Sequence, residues 1–145
     1  MPELPEVETT VKSLNILKNK KVISLDIYIK KLRYLVPHLD LKNIIDYKIR
    51  GFRRIAKYVI IDFSNFKSVI IHLGMSGRLK IVKPSVALNK HDHLVFKFKN
   101  YKLIFNDPRR FGFVDIINSE KISNIGYIKK LGIDALDNKL SEDYL

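Results

Sequence analysis

Tyr58-Val59-Ile60-Ile61-Asp62-Phe63-Ser64-Asn65-Phe66-Lys67-Ser68-Val69-Ile70-Ile71-His72-Leu73 holds two short apolar runs on either side of a Ser64-Asn65 turn signal. Runs this short, rich in Val, Ile, Tyr and Phe, read as β-strands and not as helices. The same pattern extends in both directions. Strand-like runs are expected at Ile45–Arg50, Ala56–Phe63, Ser68–Leu73, Arg78–Val82, Leu94–Lys99, Tyr101–Phe105 and Phe111–Ile116. Gly74 and Gly77, Pro84-Ser85, Asn100 and Asn106-Asp107-Pro108 punctuate them. Upstream, Ile23, Leu25, Ile27 and Ile29 alternate with Ser24, Asp26, Tyr28 and Lys30, the period of a strand. About seven to eight short strands at this spacing predict a mainly β fold with flanking α, a two-layer β-sandwich.

Two helices are expected at the ends. Val7, Val11, Leu14 and Leu17 recur at helical spacing between about Pro5 and Lys18, with Glu6 and Glu8 at the positive end of the dipole. Ile122, Ile125, Ile128 and Leu131 share a face over Ser119–Leu131, and Gly132 stops that helix. Residues 1–132 therefore read as one domain, and 133–145 as a linker leading into something else. No internal repeat or low-complexity tract interrupts the chain.

Composition narrows the function. The chain has 145 residues, of which 46% are hydrophobic, including eight Phe and seven Tyr, enough for one domain with a real core. It has 27 Lys plus Arg against 15 Asp plus Glu, a net charge of +12. Such a surplus points to a polyanionic partner, nucleic acid first, with drift toward Lys, Ile and Asn as the competing explanation. There is no cysteine, which excludes disulfides, thiolate zinc sites and thiol catalysis within these residues. No apolar run approaches the roughly 18 residues of a membrane span. The acidic start Met1-Pro2-Glu3-Leu4-Pro5-Glu6 lacks the form of a signal peptide, so a cytoplasmic protein is expected.

Several residues could carry chemistry. Removal of Met1 before the small residue Pro2 would leave a free secondary amine, and α-amino groups titrate near 7.7–8.0. Attack of that amine on an aldehydic carbon gives an iminium, an electron sink. Glu3 and Glu6 beside it read either as charge complements to a helix start or as a general acid at a leaving oxygen. Lys57, in Arg53-Arg54-Ile55-Ala56-Lys57-Tyr58, is expected on the strand face opposite Ala56 and Tyr58. It is either an ordinary exposed lysine or a phosphate-holding, proton-transferring one.

In His72-Leu73-Gly74-Met75-Ser76-Gly77, two glycines bracket Met75. The loop either thrusts an apolar wedge outward or forms a hairpin turn with a packed Met. In Lys90-His91-Asp92-His93 the two histidines would share a strand face, but no third metal ligand is evident. Phosphate contact by His91 or loop capping fits better. Asp107-Pro108-Arg109-Arg110-Phe111-Gly112 joins a rigid turn to paired guanidinium groups and an aromatic. Arg109 and Phe111 are expected to project the same way, one to read a base edge and one to stack or wedge.

Together, Met1-Pro2-Glu3-Leu4-Pro5-Glu6-Val7-Glu8-Thr9, Arg54-Ile55-Ala56-Lys57-Tyr58, His72-Leu73-Gly74-Met75-Ser76-Gly77, Lys90-His91-Asp92-His93 and Asp107-Pro108-Arg109-Arg110-Phe111-Gly112 resemble the formamidopyrimidine-DNA glycosylase family. These are bacterial base-excision repair glycosylase/AP lyases acting on 8-oxoguanine and ring-opened purines. Leu4 stands where the sister endonuclease VIII branch begins with Gly. The resemblance implies Pro2 as nucleophile at C1′, Glu3 as general acid at the sugar ring oxygen, and Glu6 in support. It implies Lys57 as proton donor or phosphate holder. Met75, Arg109 and Phe111 would fill the gap left by a flipped nucleotide, Arg109 facing the orphaned cytosine, while His91 and His72 would grip phosphates.

The implied partner is double-stranded DNA carrying oxidised purines or abasic sites, bound by a monomer, with no metal or cofactor in this chain. The family's helix–two-turn–helix module and four-cysteine zinc finger have no counterpart in these residues. Leu131-Gly132-Ile133-Asp134-Ala135-Leu136 resembles the interdomain linker. The chain thus reads as an N-terminal catalytic domain with a stub, weak or inactive alone. The alternative is a non-catalytic DNA-binding module that retained the fold.

Overall fold

A run such as Val59-Ile60-Ile61 or Val69-Ile70-Ile71 leaves no polar position to face water, so on a strand it must be buried on both faces. The structure, a computed structural model, describes residues 12–124 and meets that demand. Eight strands are present among the described residues: β1 (Ser24–Ile27), β2 (Ile49–Ile55), β3 (Tyr58–Phe63), β4 (Lys67–His72), β5 (Arg78–Val82), β6 (Asp92–Lys97), β7 (Lys102–Asn106) and β8 (Phe113–Asn118). They form two antiparallel sheets with strand orders β1-β6-β7-β5 and β2-β3-β4-β8. The mainly β, two-layer fold expected from the spacing of apolar runs is the one observed.

Val59, Ile61, Phe63, Val69, Ile71 and Val114 of the second sheet meet Leu25, Leu94, Phe96, Leu103 and Phe105 of the first in one buried cluster. Phe63, Phe96 and Phe105 are wholly buried, each contributing roughly 1.5–3 kcal/mol from the apolar surface removed. On the outer face of the second sheet, Ile60 and Ile70 join Ile55, Tyr58, Phe113 and Ile122 in a separate cluster. The same face holds the paired, buried Arg53, whose guanidinium donates to both oxygens of Asp62 at 2.8 and 3.1 Å.

Several expectations need correction. The run at Ile45–Arg50 is not a strand but mostly turn, with Asp46 at φ +74, and β2 begins only at Ile49. Its apolar residues fill a core corner beside the short helices His38–Leu41 and Lys42–Ile44, which alternation could not reveal. Ile23 precedes β1 and is 51% exposed, although Leu25 is buried as expected. The first helix is helical over residues 12–14 and tightens to a 3-10 turn at Asn15–Leu17, with Leu14 and Leu17 buried. At the other end, Ser119–Asn124 is a 3-10 helix that buries Ile122. Val7, Val11, Ile125, Ile128 and Leu131 lie outside the described residues, as do Pro2, Glu3, Glu6 and the 133–145 segment. Among the described residues, no helix is long and apolar enough to cross a membrane.

Candidate functional site

Register places chemistry at one end of the sandwich. Ile55 pairs with Tyr58, Tyr58 with His72 and His72 with Phe113 across the second sheet. At the same end, Asn106 faces both Arg78 and Asp92 across the first. The turn between β2 and β3, the β4–β5 and β7–β8 connections and the approach to β6 all emerge there. Those segments hold Lys57, Met75, Arg109 with Phe111, and His91.

Lys57 is not within a strand as expected. Ala56 and Lys57 form the two-residue turn of the β2–β3 hairpin, and Ala56 takes φ +51. A left-handed alanine costs about 1–2 kcal/mol, so surrounding structure must hold the turn. The buried Arg54 does part of this, its guanidinium donating to the Ala56 carbonyl at 3.4 Å.

The β4–β5 and β7–β8 connections both cross between sheets, which is why they run side by side. The first is therefore not a hairpin turn. Gly77 N–H donates to the Leu73 carbonyl at 2.7 Å, closing one tight loop with Met75 at its apex, 45% exposed. Gly74 has φ +61, and a Cβ there would fall 2.5 Å from the Gly112 nitrogen, so only glycine permits this approach. The second loop is a turn in which Arg110 N–H donates to the Asp107 carbonyl at 3.3 Å. Arg109 and Phe111 lie on the same side, as expected. The cause is this turn with Arg110 at φ +59, which leaves the guanidinium 5.6 Å from the Phe111 ring centre, and not an extended loop.

Asp107, fully buried, ties the loops together. Its carboxylate accepts from Ser76 Oγ at 2.7 Å and from Gly112 N–H at 2.9 Å. Ser76 Oγ in turn accepts Arg109 N–H at 3.0 Å. The Asp107 carbonyl accepts His93 Nε2–H at 2.8 Å, and Asp107 N–H donates to the His91 carbonyl at 3.2 Å. His93 is thus a buried tether, and its partner His91 is half-buried just outside β6, at the edge of these loops. The two rings meet edge to face with centres 6.4 Å apart, although His91 lies before β6 and a register shift falls between Asp92 and Leu94. Among the described residues no group of His, Cys, Asp and Glu is placed to hold a metal.

His72 stacks on Phe113 with ring centres 5.3 Å apart and lies 4.9 Å from Tyr58. Its Nδ1 accepts Gly74 N–H at 3.2 Å, so the neutral ring carries its proton on Nε2. Burial, with the positive charges of Arg33 and Lys57, lowers its pKa below 6.5, and Asp107 opposes this in part. Burial likewise raises the Tyr58 phenol above its ordinary 10.0. Sequence reasoning missed Asp107 and Ser76 as organisers of the loops; the Asn106-Asp107-Pro108 turn gave only a faint signal of this.

The comparisons with known proteins bear on this end of the fold. The family model for the formamidopyrimidine-DNA glycosylase N-terminal domain matches residues 1–114. The chain belongs to that family. It is 43% identical over 150 residues to the formamidopyrimidine-DNA glycosylase of Rickettsia canadensis, covering 100% of this chain and 54% of the relative. The Acinetobacter baumannii enzyme is 37% identical over 145 residues, with 100% and 52% covered. Among solved structures, wild-type Lactococcus lactis Fpg (MutM) in complex with N7-benzyl-Fapy-dG DNA superposes with a TM-score of 0.81 at 32% identity, over 89% of this chain and 48% of that one. A MutM complex with carbocyclic 8-oxo-G DNA gives 0.79 at 31%, over 85% and 47%. The chain spans about half the length of the relatives it matches.

Proposed function

We propose that this family member supplies the covalent and base-displacing half of a DNA base-excision repair enzyme, a bifunctional glycosylase/AP lyase for oxidised purines such as 8-oxoguanine and formamidopyrimidines. One observation carries the reading. Met75 and Phe111, two exposed apolar side chains, stand on adjacent loops locked through Asp107, with Arg109 beside them and Lys57 and His72 at the same end. Rigid apolar tips among cations suit a surface that enters a base stack while holding phosphates. A flipped nucleotide exposes its sugar carbon to attack.

In this reading the Pro2 amine adds to C1′ and the bond to the damaged base breaks. Glu3 protonates the ring oxygen as the ring opens, leaving an iminium between Pro2 and C1′, with Glu6 supporting the pair. The iminium acidifies the C2′ proton, whose loss expels the 3′-phosphate held by Lys57. Met75, Arg109 and Phe111 occupy the vacated space, Arg109 toward the unpaired cytosine, while His72 and His91 hold the backbone. No step needs a metal or cofactor from this chain, and a four-cysteine zinc finger could not be built from it. Residues 1–132 are the catalytic unit and 133–145 the link to the remainder, acting as a monomer on nucleoid DNA in the bacterial cytoplasm.

Borohydride trapping on duplexes with 8-oxoguanine opposite cytosine, or with an abasic site, tests the proposal after intact mass shows Met1 removed. Trapping on both duplexes is expected if the nucleophile and acid are assembled within 145 residues. Trapping on the abasic site alone assigns lesion capture to the other half of the relatives' length. No trapping on either would overturn the catalytic reading in favour of a DNA-binding module.

A further inference from the structure

The segment between β1 and the helix at His38–Leu41 belongs to none of the motifs, yet it reaches the same end of the sandwich. It is a clasped loop: Lys31 bridges Leu35, Leu32 N–H donates to the Tyr34 carbonyl at 3.0 Å, and Val36 N–H to the Lys30 carbonyl at 3.0 Å. Leu32 and Val36 are 5% and 6% exposed and root it in the core. Arg33 sits between these anchors with its side chain in solvent, and its own N–H donates to the Gly112 carbonyl at 3.1 Å. That bond ties the loop to the residue Asp107 holds from the other side.

The rings beside Arg33 continue the placement. Its guanidinium lies 5.5 Å from the Tyr34 ring centre, Tyr34 meets Phe113 edge-on at 5.2 Å, and Phe113 stacks on His72. Arg33 thus reaches the His72 end through the Tyr34–Phe113–His72 ring contacts, and Lys57 from a second loop through its neighbour Tyr58, which pairs with His72 and lies 4.9 Å from its ring. Two cations flanking a neutral N–H donor, on backbones fixed by hydrogen bonds, match the oxygens of one phosphodiester.

We propose that Arg33 is a phosphate-binding residue of this interface, gripping with Lys57 and the Nε2–H of His72 one backbone phosphate of the bound duplex. The assignment rests on the DNA-binding reading and adds a fifth segment to it. A guanidinium used this way gives affinity without sequence or lesion preference, because every phosphate is alike.

The test compares Arg33→Gln and Arg33→Lys with the unaltered chain by fluorescence anisotropy. Abasic-site and undamaged duplexes are titrated between 50 and 200 mM salt. Loss of one phosphate contact lowers the salt slope by about one, so the unaltered chain should lose roughly 3.5-fold more affinity than Arg33→Gln across that range. The weakening should be equal on both duplexes, and Arg33→Lys should keep most of the slope. An unchanged slope in Arg33→Gln, or a loss confined to the abasic duplex, overturns the proposal.

Failure of the unaltered chain to bind either duplex would sink the DNA reading instead. Inorganic phosphate then decides the Arg33 site separately, through the His72 imidazole and Arg33 guanidinium signals in NMR. Shifts of both in the unaltered chain, with the His72 shift shrinking several-fold in Arg33→Gln, support a free-phosphate site of the same chemistry, and no shift at Arg33 refutes it.

Discussion

Replacing Asp107 with Asn changes one oxygen to an NH2 group and leaves the volume almost untouched. The carboxylate accepts Ser76 Oγ–H through Oδ1 and Gly112 N–H through Oδ2, and the residue is 0% exposed. A carboxamide has one acceptor atom, so one donor loses its partner. If that donor is the buried Gly112 N–H, the cost is its desolvation, about 1–3 kcal/mol. Asp107→Ala forfeits both bonds to a charged acceptor and should cost about 3–6 kcal/mol at roughly 1.5–3 each. Ser76→Ala should cost less, about 1–2 kcal/mol, because the Arg109 amide it releases lies at the surface and can turn to water. Urea denaturation at neutral pH gives the ordering, and hydrogen exchange at the Gly112 amide tests its cause. Asp107→Asn should speed that exchange while β3 and β4 amides keep their protection. An Asp107→Asn protein within about 0.5 kcal/mol of the parent, with Gly112 equally protected, would refute the claim that this carboxylate locks the two loops.

Gly74→Ala should destabilise by more than the roughly 1–2 kcal/mol of a left-handed alanine, since its Cβ also strikes the Gly112 nitrogen, and calorimetry would show the drop. Met75→Ala and Phe111→Ala should leave the melting temperature nearly unchanged, both side chains being about half exposed, yet weaken binding to a lesion duplex by anisotropy. Equal losses of stability and binding would mean the residues are packing and not wedges. Because the folded His72 pKa lies below the unfolded 6.5, the unfolded chain binds the extra proton first. Its stability contribution is complete above that value and is lost as pH falls through 6.5 and then through the folded pKa. His72→Gln should flatten the fall in melting temperature between neutral and mildly acidic pH.

Apolar periodicity by itself determined the sandwich, because a strand's faces are written at every second residue and a doubly buried sheet as an unbroken run. Glycine and proline positions likewise marked the loops that carry Met75, Arg109 and Phe111, but left open whether Met75 points outward or packs. The motif residues Lys57, His72 and His91 were legible as chemistry. Their assembly was not: pairings such as Tyr58 with His72 and Asn106 with Asp92 join residues far apart in sequence. Only the tertiary structure decided that Lys57 rides a strained turn, that His93 is a tether and that Asp107 holds two loops at once. It alone brought Arg33 to the same end, because a backbone bond to Gly112 depends on which strands become neighbours and leaves no periodic trace in the chain.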